Sequence, residues 1–328
     1  MIDDIIIAVK KYQPELIIIE NKKTSILNQK VNAVYVINLK DDEHKRNYII
    51  KLMQKYSINF TLVIVNKVDP NFHKELCKKH NSQITVGELG CCLSHMWCLS
   101  HIIYNKFNNA IIFEDDVILH KEFISKFISI YENNKNIDFL MFGAHDYNFP
   151  KLNHTNVING IYKPNAKSKK LYGAHANYYS LNGARRMFYT RVTKLSFFDN
   201  EYMLLFNTME KSYVCYPNLA ISNINESSLN HEKEFLSLNE TNYYESCFVD
   251  FKFTDYNYLT INILNKSSLN NCKSYDEFIE NCLYYLFHDL DKIKTVKNRF
   301  VIDFFNLNDV KYIMSSHNEI HPNKRSKK

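Results

Sequence analysis

Hydrophobic runs and amphipathic stretches alternate along the first part of the chain. Short β-branched or aromatic runs, which are typical of buried strands, occur at residues 31–39, 59–69, 108–113, 137–144 and 175–180. Apolar residues at helical spacing occur between them, at residues 41–56, 85–107 and 121–134. A turn at Gly183 is expected to join the last strand to a further helix. This alternation predicts an α/β fold with a mostly parallel, Rossmann-like sheet and helices on both faces.

The pattern changes near residue 235, where Asn-rich stretches begin to mix with amphipathic segments. We therefore expect an N-terminal extension at residues 1–30, an α/β domain at residues 31–235 and a helical C-terminal extension at residues 236–328. The chain ends in HPNKRSKK, which is typical of a solvated basic tail.

Composition limits the classes of protein that the chain can belong to. The net charge of +6 is mild for 328 residues and the basic residues are scattered, so no nucleic-acid partner is predicted. None of the eight cysteines forms a Cys-x-x-Cys pair, which favours buried thiols in a reducing compartment over a zinc site or a disulfide framework. The acidic start and the short apolar runs predict a cytoplasmic protein without a signal peptide or a transmembrane segment.

The stretch NNAIIFEDDVILH, residues 108–120, places Glu114, Asp115 and Asp116 directly after an apolar run. Adjacent like charges cost stability unless a positive charge answers them. Side chains alternate along a strand, so Glu114 and Asp116 are expected on one face and Asp115 on the other. Acids at positions i and i+2 can converge on Mg²⁺ or Mn²⁺ and on substrate phosphates. From position alone, a metal site at this carboxyl end of a strand and an exposed loop without metal are both open.

Six motifs then occur in a characteristic order: AVYVINLKDDEHKR, GELGCCLSH, AIIFEDDVIL, DFLMFGAH, YYSLNGARRM and YPNLAISNINESSL. In these motifs the chain resembles glycosyltransferase family 25, which includes lipopolysaccharide and procollagen galactosyltransferases. The resemblance covers about residues 31–230. It implies a GT-A type fold and the transfer of a hexose from a UDP-sugar, with inversion at the anomeric carbon.

The resemblance also implies roles for particular residues. Asp116 would hold the metal ion, with Glu114 as a second ligand, and Glu114 or Asp115 would lie near the donor's ribose or beside the ligands of the metal. The other residues expected at the donor are Asn38, Leu39, Arg46, Gly87, Glu88, Ser94 and His95. Two of these have alternative structural roles: His95 as a hydrogen-bonded core histidine, and Arg46 as a helical ion-pair partner of Asp42.

An inverting transfer also needs a carboxylate that takes the proton of the acceptor hydroxyl. Asp199 in FFDNEYM stands where the family usually has an acid before a helix, and Glu201 follows two residues later. Either could be the base. The alternative is that Asp199 caps the helix and Glu201 lies in its first turn.

The sequence therefore predicts a Mn²⁺- or Mg²⁺-dependent hexosyltransferase that uses UDP-galactose or UDP-glucose, with galactose favoured. The expected acceptor is a hydroxyl group of a glycan, or the hydroxylysine of a collagen-like protein, and a homo-oligomer is compatible with the sequence. The alternative from another class is a catalytically inactive glycosyltransferase-fold protein that binds carbohydrate or acts as a scaffold.

Overall fold

A computed structural model gives the fold and describes residues 2–146, 157–164 and 171–222. The expected helical extension at residues 236–328 lies outside these described residues. In the described part the helices are α1 (Ile2–Lys11), α2 (Ile26–Lys30), α3 (Glu43–Lys55), α4 (Pro70–His80), α5 (Val86–Tyr104), α6 (Phe123–Asn133), α7 (Leu181–Val192) and α8 (Tyr202–Thr208), with a 3₁₀ helix at Phe198–Glu201. The strands are β1 (Glu15–Ile19), β2 (Ala33–Leu39), β3 (Phe60–Val65), β4 (Asn109–Glu114), β5 (Val117–Leu119), β6 (Phe139–Met141), β7 (His145–Asp146), β8 (Ile161–Tyr162), β9 (Leu171–Tyr172), β10 (Ala176–Ser180), β11 (Ser212–Cys215) and β12 (Ala220–Ser222).

The central sheet has eight strands in the order β1-β3-β2-β4-β10-β6-β11-β8. Strand β2 pairs in parallel with β3 and β4, and β6 pairs in parallel with β11. The strands β1, β10 and β8 are antiparallel to their neighbours. The α/β fold is therefore confirmed, and the sheet is mixed because these three strands reverse direction.

Helices cover both faces of this sheet, as the hydrophobic pattern predicts. On one face Tyr35, Ile112 and Met141 belong to a hydrophobic cluster that includes residues of α1, α4, α5, α7 and α8. On the other face Val36 and Phe113 belong to a second cluster with residues of α2, α3 and α6. Alternate residues of β2, and likewise of β4, thus enter different cores. At the end of each strand, consecutive side chains therefore point to opposite faces of the sheet.

The predicted turn at Gly183 is wrong, because this residue lies in the first turn of α7. Ser180 caps that helix by accepting a hydrogen bond from the Gly183 N–H at 3.0 Å. A Cβ atom at position 183 would lie only 2.0 Å from the carbonyl oxygen of Asp138. The glycine therefore allows α7 to approach the start of β6 closely, and does not serve as a turn residue.

The parallel strands β2, β3 and β4 end at the same edge of the sheet, which is where ligands bind in open α/β sheets. Helix α5 packs behind this edge and starts with a capping box, in which the Thr85 side chain accepts from the Glu88 N–H and the Glu88 carboxylate accepts from the Thr85 N–H. The capping box fixes where α5 begins. It therefore also fixes which residues of the second and third turns of α5 face the end of β4.

The described residues contain no helix with the length and apolar character that crossing a lipid bilayer requires.

Candidate active site

The three acids after β4 lie in three different surroundings. Each of Glu114, Asp115 and Asp116 is only partly exposed to solvent. Strand β4 ends at Glu114, and the next two residues form a turn. The three carboxyl groups therefore lie together at one edge of the sheet, and only the first of them belongs to the strand.

Glu114 points towards α5. Its Oε1 atom lies 3.0 Å from His95 Nε2 and accepts a hydrogen bond from Cys91 Sγ at 3.4 Å. Burial alone would raise the pKa of Glu114, but hydrogen bonding and the charge of His95 outweigh it, so the pKa is lowered. His95 is a buried, hydrogen-bonded histidine, as the structural alternative predicts: its ring is fully buried and stacked on Phe198. Its hydrogen bond to Glu114 also places it beside the acid cluster.

Asp115 points to the opposite face of the sheet. Its carboxylate accepts a hydrogen bond from Asn38 Nδ2 at 2.7 Å and lies 3.9 Å from Lys45 Nζ. Burial raises the pKa of Asp115 to about 6, although Lys45 and Asn38 oppose the rise. Lys45 is itself buried and also pairs with Asp42 at 3.4 Å. This lysine therefore neutralises part of the negative charge at this edge of the sheet.

Asp116 has the least compensated carboxylate of the three. Its Oδ1 atom is buried and has no hydrogen-bond partner in the described part of the chain. Burial raises the pKa of Asp116 well above its usual range, and the charges of Glu114 and Asp115 raise it further. The charge of Lys45 opposes this rise in the pKa of Asp116, and a cation that approached the carboxylate would oppose it further.

Asp199 lies in the 3₁₀ helix and faces the same cluster as Glu114. Its Oδ2 atom accepts a hydrogen bond from the Gly173 N–H at 3.0 Å. Burial raises the pKa of Asp199, the Gly173 N–H opposes this rise, and the charge of Glu114 adds to it. The N-cap residue of the 3₁₀ helix is Phe197, so the expectation that Asp199 caps this helix is wrong. Glu201 lies in the first turn of the 3₁₀ helix, as that alternative expected, and it precedes α8 without making a side-chain capping bond.

Glu201 has a different environment from Asp199. Its Oε1 atom lies 3.1 Å from Lys194 Nζ and 3.8 Å from the Nη1 atom of the fully buried Arg191. Arg191 also donates hydrogen bonds to the backbone carbonyl and the hydroxyl of Ser196. Glu201 therefore neutralises part of the charge of the buried Arg191 guanidinium group.

We expect Glu201→Gln to lower the free energy of unfolding by roughly 2–4 kcal/mol, because it leaves the buried Arg191 charge without its carboxylate. Urea denaturation of the full chain measures this change. Lys194→Ala is the matched control, since it removes only the exposed partner and should cost less than about 1 kcal/mol. Equal losses in the two variants would contradict the structural assignment of Glu201.

The remaining predicted donor residues divide into two groups. Asn38 and Leu39 lie at the carboxyl end of β2, and Arg46 Nη2 donates to the Lys40 carbonyl oxygen at 2.6 Å. The ion pair of Arg46 with Asp42 that the sequence allowed is replaced by the Lys45–Asp42 pair. The second group lies at the start of α5: Gly87 is exposed in its first turn, Glu88 closes the capping box, and Ser94 is buried and donates to the Gly90 carbonyl oxygen.

A cavity of about 260 Å³ lies beside the carboxyl end of β3. The lining includes Tyr12, Asn66, Asp69 and Phe72. Tyr12 belongs to the N-terminal extension, and its hydroxyl donates to the Asn66 carbonyl oxygen at 3.2 Å. The cavity is therefore on the same edge of the sheet as the acids, with β2 between β3 and β4.

Sequence reasoning missed two residues of the site. Lys45 precedes Arg46 in the first motif, and its helical spacing from Asp41 and Asp42 allows an ion pair with either acid. Arg46 has a similar spacing, so the pattern does not indicate which of the two basic residues forms the pair. The sequence predicts only an ordinary thiol at Cys91, because the contact of its sulfur with Glu114 joins residues 23 positions apart. No local pattern in the sequence indicates that contact.

In open α/β sheets ligands bind in the crevice outside the carboxyl ends of the strands, and the acid cluster of this chain lies there. Residues 31–194 match the family model described as "Glycosyltransferase family 25 (LPS biosynthesis protein)". The chain belongs to glycosyltransferase family 25.

A curated relative from Haemophilus influenzae, named "Putative glycosyltransferase", is 29% identical over 102 residues. That match covers 29% of this chain and 36% of the relative, so the chain spans well under two thirds of the relative's length.

Proposed function

We propose that the chain is a metal-dependent, inverting glycosyltransferase of the GT-A type. It transfers a hexose, with galactose favoured, from a UDP-sugar to a hydroxyl group of a glycan or a collagen-like protein. The observation that carries this proposal is the buried, unpartnered Oδ1 atom of Asp116 at the carboxyl end of β4, in a member of glycosyltransferase family 25. The mixed sheet with helices on both faces supports the GT-A assignment.

The acids fit a hard divalent cation. Mn²⁺ and Mg²⁺ take oxygen ligands and commonly use only one or two protein carboxylates together with substrate phosphates. Asp116 offers a carboxylate oxygen without a protein partner in the described residues, and Glu114 and Asp115 raise the negative potential around it. When bound, the ion would neutralise the charge of the diphosphate leaving group. Asp116 would hold it, with Glu114 as the second candidate ligand.

The nucleoside end of the donor has room on the same edge of the sheet. Adjacent strands lie roughly 5 Å apart, so the cavity beside β3 is roughly 10 Å from the acids after β4. We place the base near this cavity and the ribose near Asn38 and Leu39 at the end of β2, which lies between the two. The hydrogen bond from Asn38 to Asp115 would then link the ribose site to the acid cluster.

Asp199 is the proposed base. Its pKa is raised by burial, which brings a carboxylate closer to the range in which a general base is efficient near neutral pH. The Gly173 N–H holds one of its oxygens in place. The carboxylate of Asp199 would accept the proton of the acceptor hydroxyl as the new glycosidic bond forms. Glu201 is left out of this role because it pairs with Arg191 and Lys194.

Thermal unfolding with Mn²⁺ and UDP tests donor binding. At a ligand concentration of a hundredfold the dissociation constant we expect about 2.7 kcal/mol of stabilisation. We expect neither Mn²⁺ nor UDP alone to reproduce the effect, because each would complete only part of the site. The absence of any shift with a nucleoside diphosphate plus Mn²⁺ or Mg²⁺ would contradict donor binding.

Slow hydrolysis across a panel of UDP-sugars identifies the donor, and we expect UDP-galactose to be hydrolysed fastest. Binding without any hydrolysis or transfer would favour the scaffold alternative over an enzyme.

A further inference from the structure

Three side chains of different chemistry meet between α5 and the end of β4. Cys91 and His95 are four residues apart on α5 and therefore share one face of the helix. Glu114 reaches the same point from the end of β4. One ligand atom from each residue, a thiol sulfur, an imidazole nitrogen and a carboxylate oxygen, lies within 4.8 Å of the other two.

The packing around this cluster holds the ligand atoms in place. The side chain of His95 is 1% exposed and its ring stacks on Phe198 at 4.4 Å between ring centroids. The Nδ1 atom of His95 is buried and has no hydrogen-bond partner in the described part of the chain. The ring is thus fixed by packing and by Glu114. Cys91 and Glu114 remain partly exposed, so an ion can enter the cluster from solvent.

Two of the three separations are close to those around a small tetrahedral ion. Ligand atoms at zinc distances of about 2.0–2.3 Å lie roughly 3.3–3.8 Å apart around a tetrahedron. Glu114 Oε1 is 3.0 Å from His95 Nε2 and 3.4 Å from Cys91 Sγ. Small rotations of these side chains would therefore admit an ion in place of the protons that now connect them.

We propose that Cys91, His95 and Glu114 form a site for a divalent ion of the zinc class. Thiolate, imidazole and carboxylate are the three ligand types that zinc takes in proteins, whereas Mn²⁺ and Mg²⁺ prefer oxygen alone. As the ion binds, the thiol proton of Cys91 passes to solvent. His95 binds through Nε2 as the neutral imidazole with its proton on Nδ1, so any second ring proton also passes to solvent. Three protein ligands leave a fourth position for water or a substrate oxygen. The site is distinct from the hard-cation site proposed at Asp116 and shares only Glu114 with it.

The charge around the cluster favours a cation. No Lys or Arg ion pair with Glu114 occurs in the described residues, because Lys45 pairs on the other face of the sheet and Arg191 pairs with Glu201. Asp199 adds negative charge close enough to act electrostatically on Cys91. His95 and His175 offset part of the charge of Glu114, and a bound divalent ion would offset the negative potential that remains.

Titration of the metal-free full chain with Co²⁺, in the absence of nucleotide, tests this proposal. Tetrahedral Co²⁺ with a thiolate ligand gives intense visible bands and a sulfur-to-metal charge-transfer band in the near ultraviolet. We expect both at one Co²⁺ per chain, and we expect Zn²⁺ but neither Mn²⁺ nor Mg²⁺ to abolish them. Cys91→Ser should remove the charge-transfer band and weaken Co²⁺ binding at least about 100-fold.

Cys98→Ser is the matched control, since Cys98 is a buried cysteine of the same helix outside the cluster, and it should bind Co²⁺ as the wild type does. Thermal unfolding without metal checks that each variant is folded. A folded wild type without a charge-transfer band would overturn the proposal. So would a band that persists in Cys91→Ser, because the thiolate would then come from another cysteine. Stabilisation by Mn²⁺ and UDP is measured separately, so failure of this site leaves the proposed function standing, and the reverse also holds.

Discussion

Asp116→Asn should reduce sugar transfer on the order of 10²–10³-fold, the usual cost of removing one preorganised electrostatic contact at the reacting centre. The Asp116 carboxylate offers the oxygen that no described residue satisfies, so its loss removes the best candidate ligand of the divalent ion. The stabilisation by Mn²⁺ plus UDP should disappear in the same variant. Initial rates with a saturating UDP-sugar and differential scanning calorimetry measure the two effects.

The same substitution should stabilise the protein when metal is absent. The raised pKa of Asp116 means that its ionised form weakens the fold at neutral pH. We expect Asp116→Asn to raise the free energy of unfolding at pH 7. The stability advantage of the variant over the wild type should shrink as the pH falls from about 7 towards about 4, the unfolded pKa of an aspartate.

Glu75→Gln is the control for Asp116→Asn, because it removes the charge of an exposed acid on α4 that has no role in the proposed site. It should leave both transfer and stability unchanged. An Asp116→Asn variant that keeps normal transfer and normal Mn²⁺-dependent UDP binding would show that another group holds the ion.

Asp199→Asn should reduce transfer by about 10²–10⁴-fold, the range for loss of a general base. Mn²⁺-dependent UDP binding should stay within a few-fold of the wild type, because Asp199 acts on the acceptor and has no proposed contact with the diphosphate. The variant keeps an oxygen that can accept from the Gly173 N–H, so the local fold should persist. Calorimetric titration with UDP and transfer assays on the same preparation separate the two effects.

Glu201→Gln provides the contrast within the same 3₁₀ helix. It should be less stable than the wild type and yet transfer sugar at a similar rate below its unfolding temperature. If Glu201→Gln were inactive while folded and Asp199→Asn were active, the roles assigned to the two acids would have to be exchanged.

Much of the fold follows from hydrophobic periodicity, and the exceptions have physical causes. The buried strands β2, β3 and β4 and the helices α3 and α5 lie where apolar runs and helical stripes predict them. The direction of β10 was not predictable, because a buried strand has the same composition whether it is parallel or antiparallel. Helix α4 was missed although Asp69 caps it and Pro70 is its first residue, which are ordinary signals of a helix start.

The N-terminal extension contributes more to the domain than the sequence suggested. Strand β1 pairs with β3 at the edge of the sheet, and α1 packs against α5. Strand β1 is mostly exposed, so it lacks the alternation by which a half-buried strand is recognised. Its partner is set by tertiary pairing over more than forty residues, which no local pattern encodes.

The position of the acid cluster was predictable, but its internal arrangement was not. A run of acids after an apolar strand places charge at the carboxyl edge of the sheet, and the structure has it there. The expectation that Glu114 and Asp116 share a face assumed that the strand continues, whereas it ends at Glu114 and turns. Contacts with Lys45 and Cys91 then decide the surroundings of each acid, and these contacts depend on how α3 and α5 pack against the sheet.

Anomalous scattering at the manganese edge, from crystals grown with Mn²⁺ and UDP, tests the central claim most directly. We predict one strong anomalous peak within coordination distance of Asp116 and of the diphosphate oxygens. A peak bound to other side chains, or bound nucleotide with no ion beside the turn that follows β4, would contradict the account.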